Sequence, residues 1–340
     1  MDCEPAVVNT IGNARAPSTR QLYAARWRIF SSWCGDQGID PVHCTVPTVL
    51  SFLQHLFDDN RAASTLKVYV AAISAYHDPV AGASLGSHNL VCSFLKGARR
   101  LKPVRSTPFP VWDLPLVLES RCRPPFEPLD VADIKWLSLK VSFLLAVAST
   151  RRVGELHALS VSELCLRWLP EDSGVILRPN PAFLPKVLLP QFVNQSIHLA
   201  AFQPPFNHSD TDGGRSHLLC PVRALKCYVK STASFRQTDQ LFVCYGEVRK
   251  GASLSKQRLS RWIVETIKLA YDRSHQPLPV GVTCHSTRAV SSSWATLRGV
   301  SLADVCEAAT WSSPCTFARF YKVNVAASHD VSSAVLLEQP

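Results

Sequence analysis

Residues 149–156 read Ser149-Thr150-Arg151-Arg152-Val153-Gly154-Glu155-Leu156, a polar break that follows an apolar, helix-like run and reopens a second helix. Two other segments of the second half belong with it. His285-Ser286-Thr287-Arg288 carries an imidazole and a guanidinium three residues apart, a spacing that puts both on one face of a helix. Trp311-Ser312-Ser313-Pro314-Cys315-Thr316-Phe317-Ala318-Arg319-Phe320-Tyr321 follows near the C-terminus. Each segment is weak alone, because a His-x-x-Arg arises by chance and a lone Arg more often caps or solvates a helix. Their order and separation carry the signal.

Outward from these segments the pattern is mainly helical with a small β-sheet. Asp130 is expected to cap a long apolar helix through Ile134, Leu137, Val141, Leu144 and Leu145. Residues 175–177, 196–199 and 241–245 read as strands, the first two flanking a long Pro-rich excursion. Helices are expected at 221–230, 255–271, 286–298 and 302–309. The first hundred residues form a four-helix pattern. Ser18 caps a helix carrying Leu22, Ile29, Phe30 and Trp33 and ending by Gly35. Thr45 caps the next, with Pro47 in its first turn and Val49, Leu50, Leu53, Leu56 and Phe57 inward. Ser64 opens a third through Leu66, Tyr69, Ile73 and Tyr76, stopped by Asp78-Pro79, and a fourth spans 89–98. Tyr23, Trp27 and Trp33 are expected in helix contacts.

Composition narrows the partner. Lys and Arg number 36 against 26 Asp and Glu, a net +10 over 340 residues, so a polyanion is the expected partner, nucleic acid first and an acidic membrane surface second. Residues 99–110 concentrate Arg99, Arg100, Lys102 and Arg105 among prolines, which reads as an extended basic linker able to follow phosphates. The apolar run at 141–150 is far shorter than the ~20 residues a bilayer requires. The acidic opening MDCEPAVVNT lacks a signal-peptide pattern, so an intracellular location and no membrane are expected, and the basic run at 99–110 also reads as a weak nuclear-import signal, which makes the nucleus the expected site. Neither GxGxxG nor GxxxxGK[ST] occurs, which removes the main support for dinucleotide or P-loop chemistry. The 12 cysteines include no CxxC pair, and His217, Cys220 and Cys227 form only a loose cluster, so they read as reduced structural thiols. No cofactor and no metal site are implied.

With these residues in view, the chain resembles the tyrosine recombinase (phage integrase) family. The family's Arg, then Glu or Asp three residues later, then Leu, is matched by Arg152, Glu155 and Leu156. His285 and Arg288 match its HxxR, Trp311 its His-or-Trp position, and Tyr321 its nucleophile. The family places a Lys on a β-hairpin between the arginine regions, and Lys186 is the only lysine between Lys140 and Lys226. The phrases LRPNPAFLPKV and WSSPCTFARFY look like recombinases of eukaryotic DIRS-type and crypton-type mobile elements. The resemblance implies a disordered N-terminus at 1–14, a helical core-binding domain at 15–104, and a basic Pro-rich linker at 105–120. It further implies a mixed α+β catalytic domain at 121–325 and a tail at 326–340 that docks on a neighbouring protomer in a DNA-bound tetramer.

The implied chemistry suits the residue types. Arg152 and Arg288 clamp the non-bridging oxygens of a phosphodiester, His285 assists Tyr321 as it loses its proton, and Lys186 protonates the departing 5′ oxygen. Trp311 donates its indole N–H or walls the pocket, and Glu155 orients Arg152 or His285. Tyr321 lies ten residues past Trp311, where nine is usual. The spacing to Glu155 selects Arg152 over Arg151, which is left to face solvent or a phosphate. Two alternatives stay open: a domesticated DNA-binding protein of the same fold, and a type IB topoisomerase-like nicking enzyme.

Overall fold

The computed structural model describes residues 4–103, 109–202 and 211–325, in two compact units divided at Thr107 and Pro108. The first unit holds α1 (Pro5–Gly12), α2 (Pro17–Gly35), α3 (Val46–Asp58), α4 (Ala63–Ile73) and α5 (Asn89–Leu101). The N-terminus expected to be disordered therefore carries a short helix, started by Pro5, although none of its residues is buried. Thr45 caps α3 by accepting from the Thr48 amide. The other starts shift: α2 begins at Pro17 after Ala16 and α4 at Ala63, ahead of the serines expected to cap them. Phe30, Phe52, Leu53, Leu66 and Ile73 form the core, with Trp33 against Phe52 at 5.3 Å and Trp27 stacked on Tyr76 at 5.1 Å. Leu22 and Ile29 face solvent instead, because one face of α2 is enough to meet α4.

The basic stretch is not an extended linker at its start. Arg99 and Arg100 lie in the last turn of α5, both exposed, where cations complement the helix dipole. Lys102 turns inward: its Nζ donates to the Phe57 carbonyl at 2.6 Å and to Asn60 Oδ1 at 3.0 Å. Arg105 lies outside the described residues, as does the expected tail at 326–340.

The second unit contains α6 (Leu114–Arg121), α7 (Ile134–Ser149), α8 (Val153–His157), β1 (Leu166–Trp168), β2 (Gly174–Leu177), β3 (Ile197–Ala200), α9 (Thr211–Leu218), α10 (Pro221–Thr232), α11 (Lys256–Ser274), α12 (Cys284–Leu297), α13 (Leu302–Ala308) and α14 (Pro314–Phe320). The expected linker at 105–120 ends early. Trp112 is buried, donating its indole N–H to Ser286 Oγ at 3.2 Å, and α6 joins the core through Val117. Helix α7 is apolar on nearly every face and runs through the middle, packed by α10, α11 and α12. Its cap is Asp133, whose carboxylate accepts from the Lys135 amide, and not Asp130. Among the described residues no helix is long and apolar enough to cross a membrane.

The sheet is antiparallel in the order β1-β2-β3, with Leu166 opposite Leu177 and Val175 opposite Leu199. A side chain at Gly174 would place its Cβ 2.6 Å from the Leu199 carbonyl oxygen, so only glycine lets these strands approach. Residues 241–245, expected as a strand, pair only through isolated bridges. Their amides find single partners on separate segments: Leu241 on the Leu159 carbonyl, Val243 on the Tyr228 hydroxyl, Cys244 on the Ala252 carbonyl. The run is apolar because it is buried on all sides, which strand periodicity cannot distinguish.

One charged group is buried in α7. Lys140 Nζ donates to the Arg121 carbonyl at 2.9 Å and pairs with Glu127, which also receives Arg223. Glu127→Gln would leave two cations facing a neutral amide, Lys140 fully buried among them. The expected loss is about 3–5 kcal/mol, read from denaturant or thermal unfolding. An unchanged midpoint would mean that Lys140 deprotonates without cost.

Candidate active site

The break between α7 and α8 does the first positioning. Ser149 bonds back to the Leu145 carbonyl, Thr150 takes a left-handed turn at φ 52°, and Arg152 is extended at the entrance of α8. This reversal sends the two arginines apart. Arg151 is buried, with Nη1 on Gln195 Oε1 at 3.0 Å and Nη2 on the Ser196 carbonyl at 3.3 Å. It braces the chain entering β3 and does not face solvent. Arg152 keeps an open face, while its Nη1 donates to Glu155 Oε1 at 2.9 Å and to Thr310 Oγ1 at 2.8 Å.

Arg288 approaches from α12 and is only 2% exposed. Its Nη2 donates to the Ala309 carbonyl, while Nε and Nη1 bond to no described residue. The guanidinium lies over the Trp311 ring at 4.6 Å and the Tyr321 ring at 5.2 Å. Burial, then the charge of Arg152, lowers its pKa to about 10, which leaves it cationic at neutral pH. Trp311 is buried with its indole N–H also without a described partner. Three buried donors without acceptors form a strongly anion-seeking surface.

Tyr321 stands at the C-terminal end of α14, a helix begun by Ser313 and Pro314. Its ring lies 4.7 Å from Trp311 on one side and stacks on Phe109 at 5.6 Å on another. Just beyond it, the Val323 amide donates to Ser293 Oγ and pins the chain to α12. The phenol is thus held by its ring, which lies against Trp311 and under the Arg288 guanidinium.

His285 and Arg288 differ in burial, His285 being exposed. Desolvation of its ring, then the positive field of Arg288, Arg152, Lys186 and Lys256, pushes its pKa below the usual 6.5. Neutral imidazole at pH 7 is a proton acceptor. In an NMR titration the His285 midpoint is expected below 6.5, and Arg288→Gln should raise it by removing a repelling charge. A midpoint above 6.5, or one unmoved by that substitution, would separate the two groups. Lys186 is exposed in the loop between β2 and β3, with no ion pair among the described residues; it joins the site through its charge on His285 rather than by contact.

The structure therefore brings Arg152, Glu155, Arg288, Trp311 and Tyr321 together directly. Sequence reasoning missed Thr310, Phe109 and the inward turn of Arg151. A hint existed for Thr310 alone, its place beside Trp311, and it carried no chemistry by itself.

No protein-family model matches the chain. Over 76 residues it is 33% identical to an integrase/recombinase XerD homolog of Selenomonas ruminantium, covering 22% of this chain and 21% of that protein. The chain thus matches about a fifth of that relative's length. Its fold is shared with solved structures of low identity. The Tn1549 transposon integrase in complex with transposon right end DNA superposes with a TM-score of 0.53 at 12% identity, over 94% of this chain and 98% of that one. A lambda integrase fragment, a dimer bound to a COC′ core site, gives 0.52 at 12% identity over 93% and 92%. The XerH site-specific recombinase bound to palindromic difH gives 0.51 at 14% over 86% and 72%. The fold, mostly helical with a small antiparallel sheet, is the one these integrase structures share.

Proposed function

We propose that this chain is a tyrosine recombinase that breaks and rejoins duplex DNA through a 3′-phosphotyrosine intermediate, on the premise of the fold it shares with those enzymes. The observation that carries the reading is Arg288 buried over the touching rings of Trp311 and Tyr321, with two N–H groups that no described residue accepts, in one cluster with Arg152, whose Nη1 is held by Thr310 beside Trp311. A phosphodiester resists attack because its oxygens repel an oxyanion and its leaving alkoxide is poor. Two guanidiniums and an indole N–H on the non-bridging oxygens address the first problem. Tyr321 Oη forms the bond to phosphorus as its proton passes to His285. The bond to the 5′ oxygen breaks as Lys186 supplies a proton to it. Attack by another strand's 5′ hydroxyl reverses these steps, so the phosphoester energy is conserved and neither ATP nor a metal is called for. The two arginines act on charge, His285 and Lys186 on protons.

DNA is held by both units, since residues 1–105 carry 11 basic against 7 acidic groups and the remainder 25 against 19. In the first unit Arg99 borders a groove of about 620 Å³ with Tyr23 and Lys67, and Arg100 is exposed beside it. Arg99→Ala with Arg100→Ala should weaken binding to all sequences alike and flatten the slope of log K against log salt by about 2. Sequence-dependent loss would instead assign them to base reading. Lys102, tied to Phe57 and Asn60, serves the bundle and not the phosphates.

Origin in a eukaryotic mobile element, nuclear action and assembly as a tetramer rest on the resemblance of the segments quoted above. The deciding experiment mixes the protein with a pool of nicked duplexes of random sequence in excess EDTA and looks for protein–DNA adducts that survive denaturing detergent. Adducts support the reading. Their absence, with intact DNA binding, favours a binding protein of the same fold, and adducts that need added metal would overturn the mechanism.

A further inference from the structure

Thr310 is 2% exposed and sits in the left-handed region at φ 52°, where a β-branched residue is rare and strained and glycine would fit freely. Its hydroxyl has the one arrangement that satisfies its neighbours. It accepts from Arg152 Nη1 at 2.8 Å and donates to Glu155, 3.1 Å from Oε1 and 3.4 Å from Oε2. Glu155 Oε1 also accepts from the same Nη1 at 2.9 Å, which closes a triangle on one corner of the guanidinium. No described residue bonds Nε or Nη2 of Arg152. The flanking residues serve the other arginine: the Ala309 carbonyl receives Arg288 Nη2, and the Trp311 ring lies under the Arg288 guanidinium. One strained turn thus touches both arginines and the nucleophile's neighbour.

We propose that Thr310 is a positioning residue: with Glu155 it occupies Nη1 of Arg152, so that the Nε–Nη2 edge is presented to the scissile phosphate. The assignment rests on the recombinase reading. It is from this left-handed turn that the hydroxyl reaches Arg152. Glycine would relax the backbone and forfeit the contact. Bidentate grip on a phosphate needs a fixed guanidinium plane, and an untethered Arg152 samples many orientations.

Three variants test this. Thr310→Ser keeps the hydroxyl, Thr310→Val keeps the shape without it, and Thr310→Gly removes the strain as well. Adduct formation by Thr310→Ser should lie within about 3-fold of wild type, whereas Thr310→Val and Thr310→Gly should be slower by about 10- to 100-fold, the size of one charge-assisted hydrogen bond. DNA affinity should be unchanged in all three. Because Thr310→Gly relieves the left-handed turn, its thermal midpoint should not fall below that of Thr310→Val, which separates a lost contact from a lost fold. A second readout needs no DNA: the Arg152 guanidinium N–H signals in NMR should be rotationally restrained in wild type and Thr310→Ser and measurably less so in the other two, where Glu155 alone holds Nη1. Thr310→Val cutting at the wild-type rate, or Thr310→Ser as slow as Thr310→Val, overturns the proposal. If wild type forms no adduct the recombinase reading falls instead, and the Arg152 signals alone decide: restraint that follows the hydroxyl supports the assignment, and identical signals in every variant overturn it.

Discussion

Tyr321→Phe should bind DNA as wild type does and form no covalent adduct at all. The substitution removes only Oη. The phenyl ring retains its packing on Trp311 at 4.7 Å and on Phe109 at 5.6 Å, and remains beneath the Arg288 guanidinium. Folding stability should therefore move by no more than about 0.5 kcal/mol, as for a partly exposed polar atom without a bonded partner. Affinity, carried by charges elsewhere, should be unaffected. On the proposed mechanism the chemistry needs an oxygen at that point, because the bond to phosphorus forms through it. A denaturing gel of nicked duplex incubated with each protein reads the result directly. An adduct formed equally by Tyr321→Phe would assign the nucleophile to another hydroxyl.

Lys186→Ala should cleave ordinary DNA more slowly by roughly two to four orders of magnitude, the range over which a positioned proton donor acts. The leaving 5′ alkoxide needs that proton. A thiolate does not, since a thiol ionises near 8.5, far below an alcohol. With sulfur at the bridging 5′ position, the same variant should recover most of its rate. Arg288→Ala should not recover, because the proposed mechanism puts its work on the non-bridging oxygens. Equal slowness of Lys186→Ala on both substrates would move the acid elsewhere. Lys256 is then the first candidate, since its charge also acts on His285 and its chain lies 3.8 Å from where a side chain at Gly154 would begin.

The amino-acid sequence made much of the helical scaffold legible through local rules. Thr45 and Ser255 stop the chain from continuing extended and accept the first free amides of α3 and α11. A proline in the first turn starts α3 and α10, and the apolar run of α7 announces a central helix. Where such rules compete they mislead by a few residues, as when Asp133 rather than Asp130 caps α7. Helix α6 went unread because prolines on both sides disguise a short element whose order comes from packing Val117 and Trp112 into the core.

What the sequence determined by itself is the order and type of the candidate site residues, with Glu155 three residues after Arg152 and Arg288 three after His285. Their meeting was decided by the tertiary structure. Arg152 reaches Thr310 across 158 residues, and no periodicity or cap reports so distant a contact. Tertiary packing also settled which of two adjacent arginines is open: the left-handed turn at Thr150 drives Arg151 into the chain before β3 and leaves Arg152 at the surface of the site. Local sequence specifies conformation over one or two turns, through steric and hydrogen-bonding preferences of neighbouring residues. A site assembled from α8, the loop before β3, α12 and α14 exists only once the buried apolar faces have chosen how those elements pack.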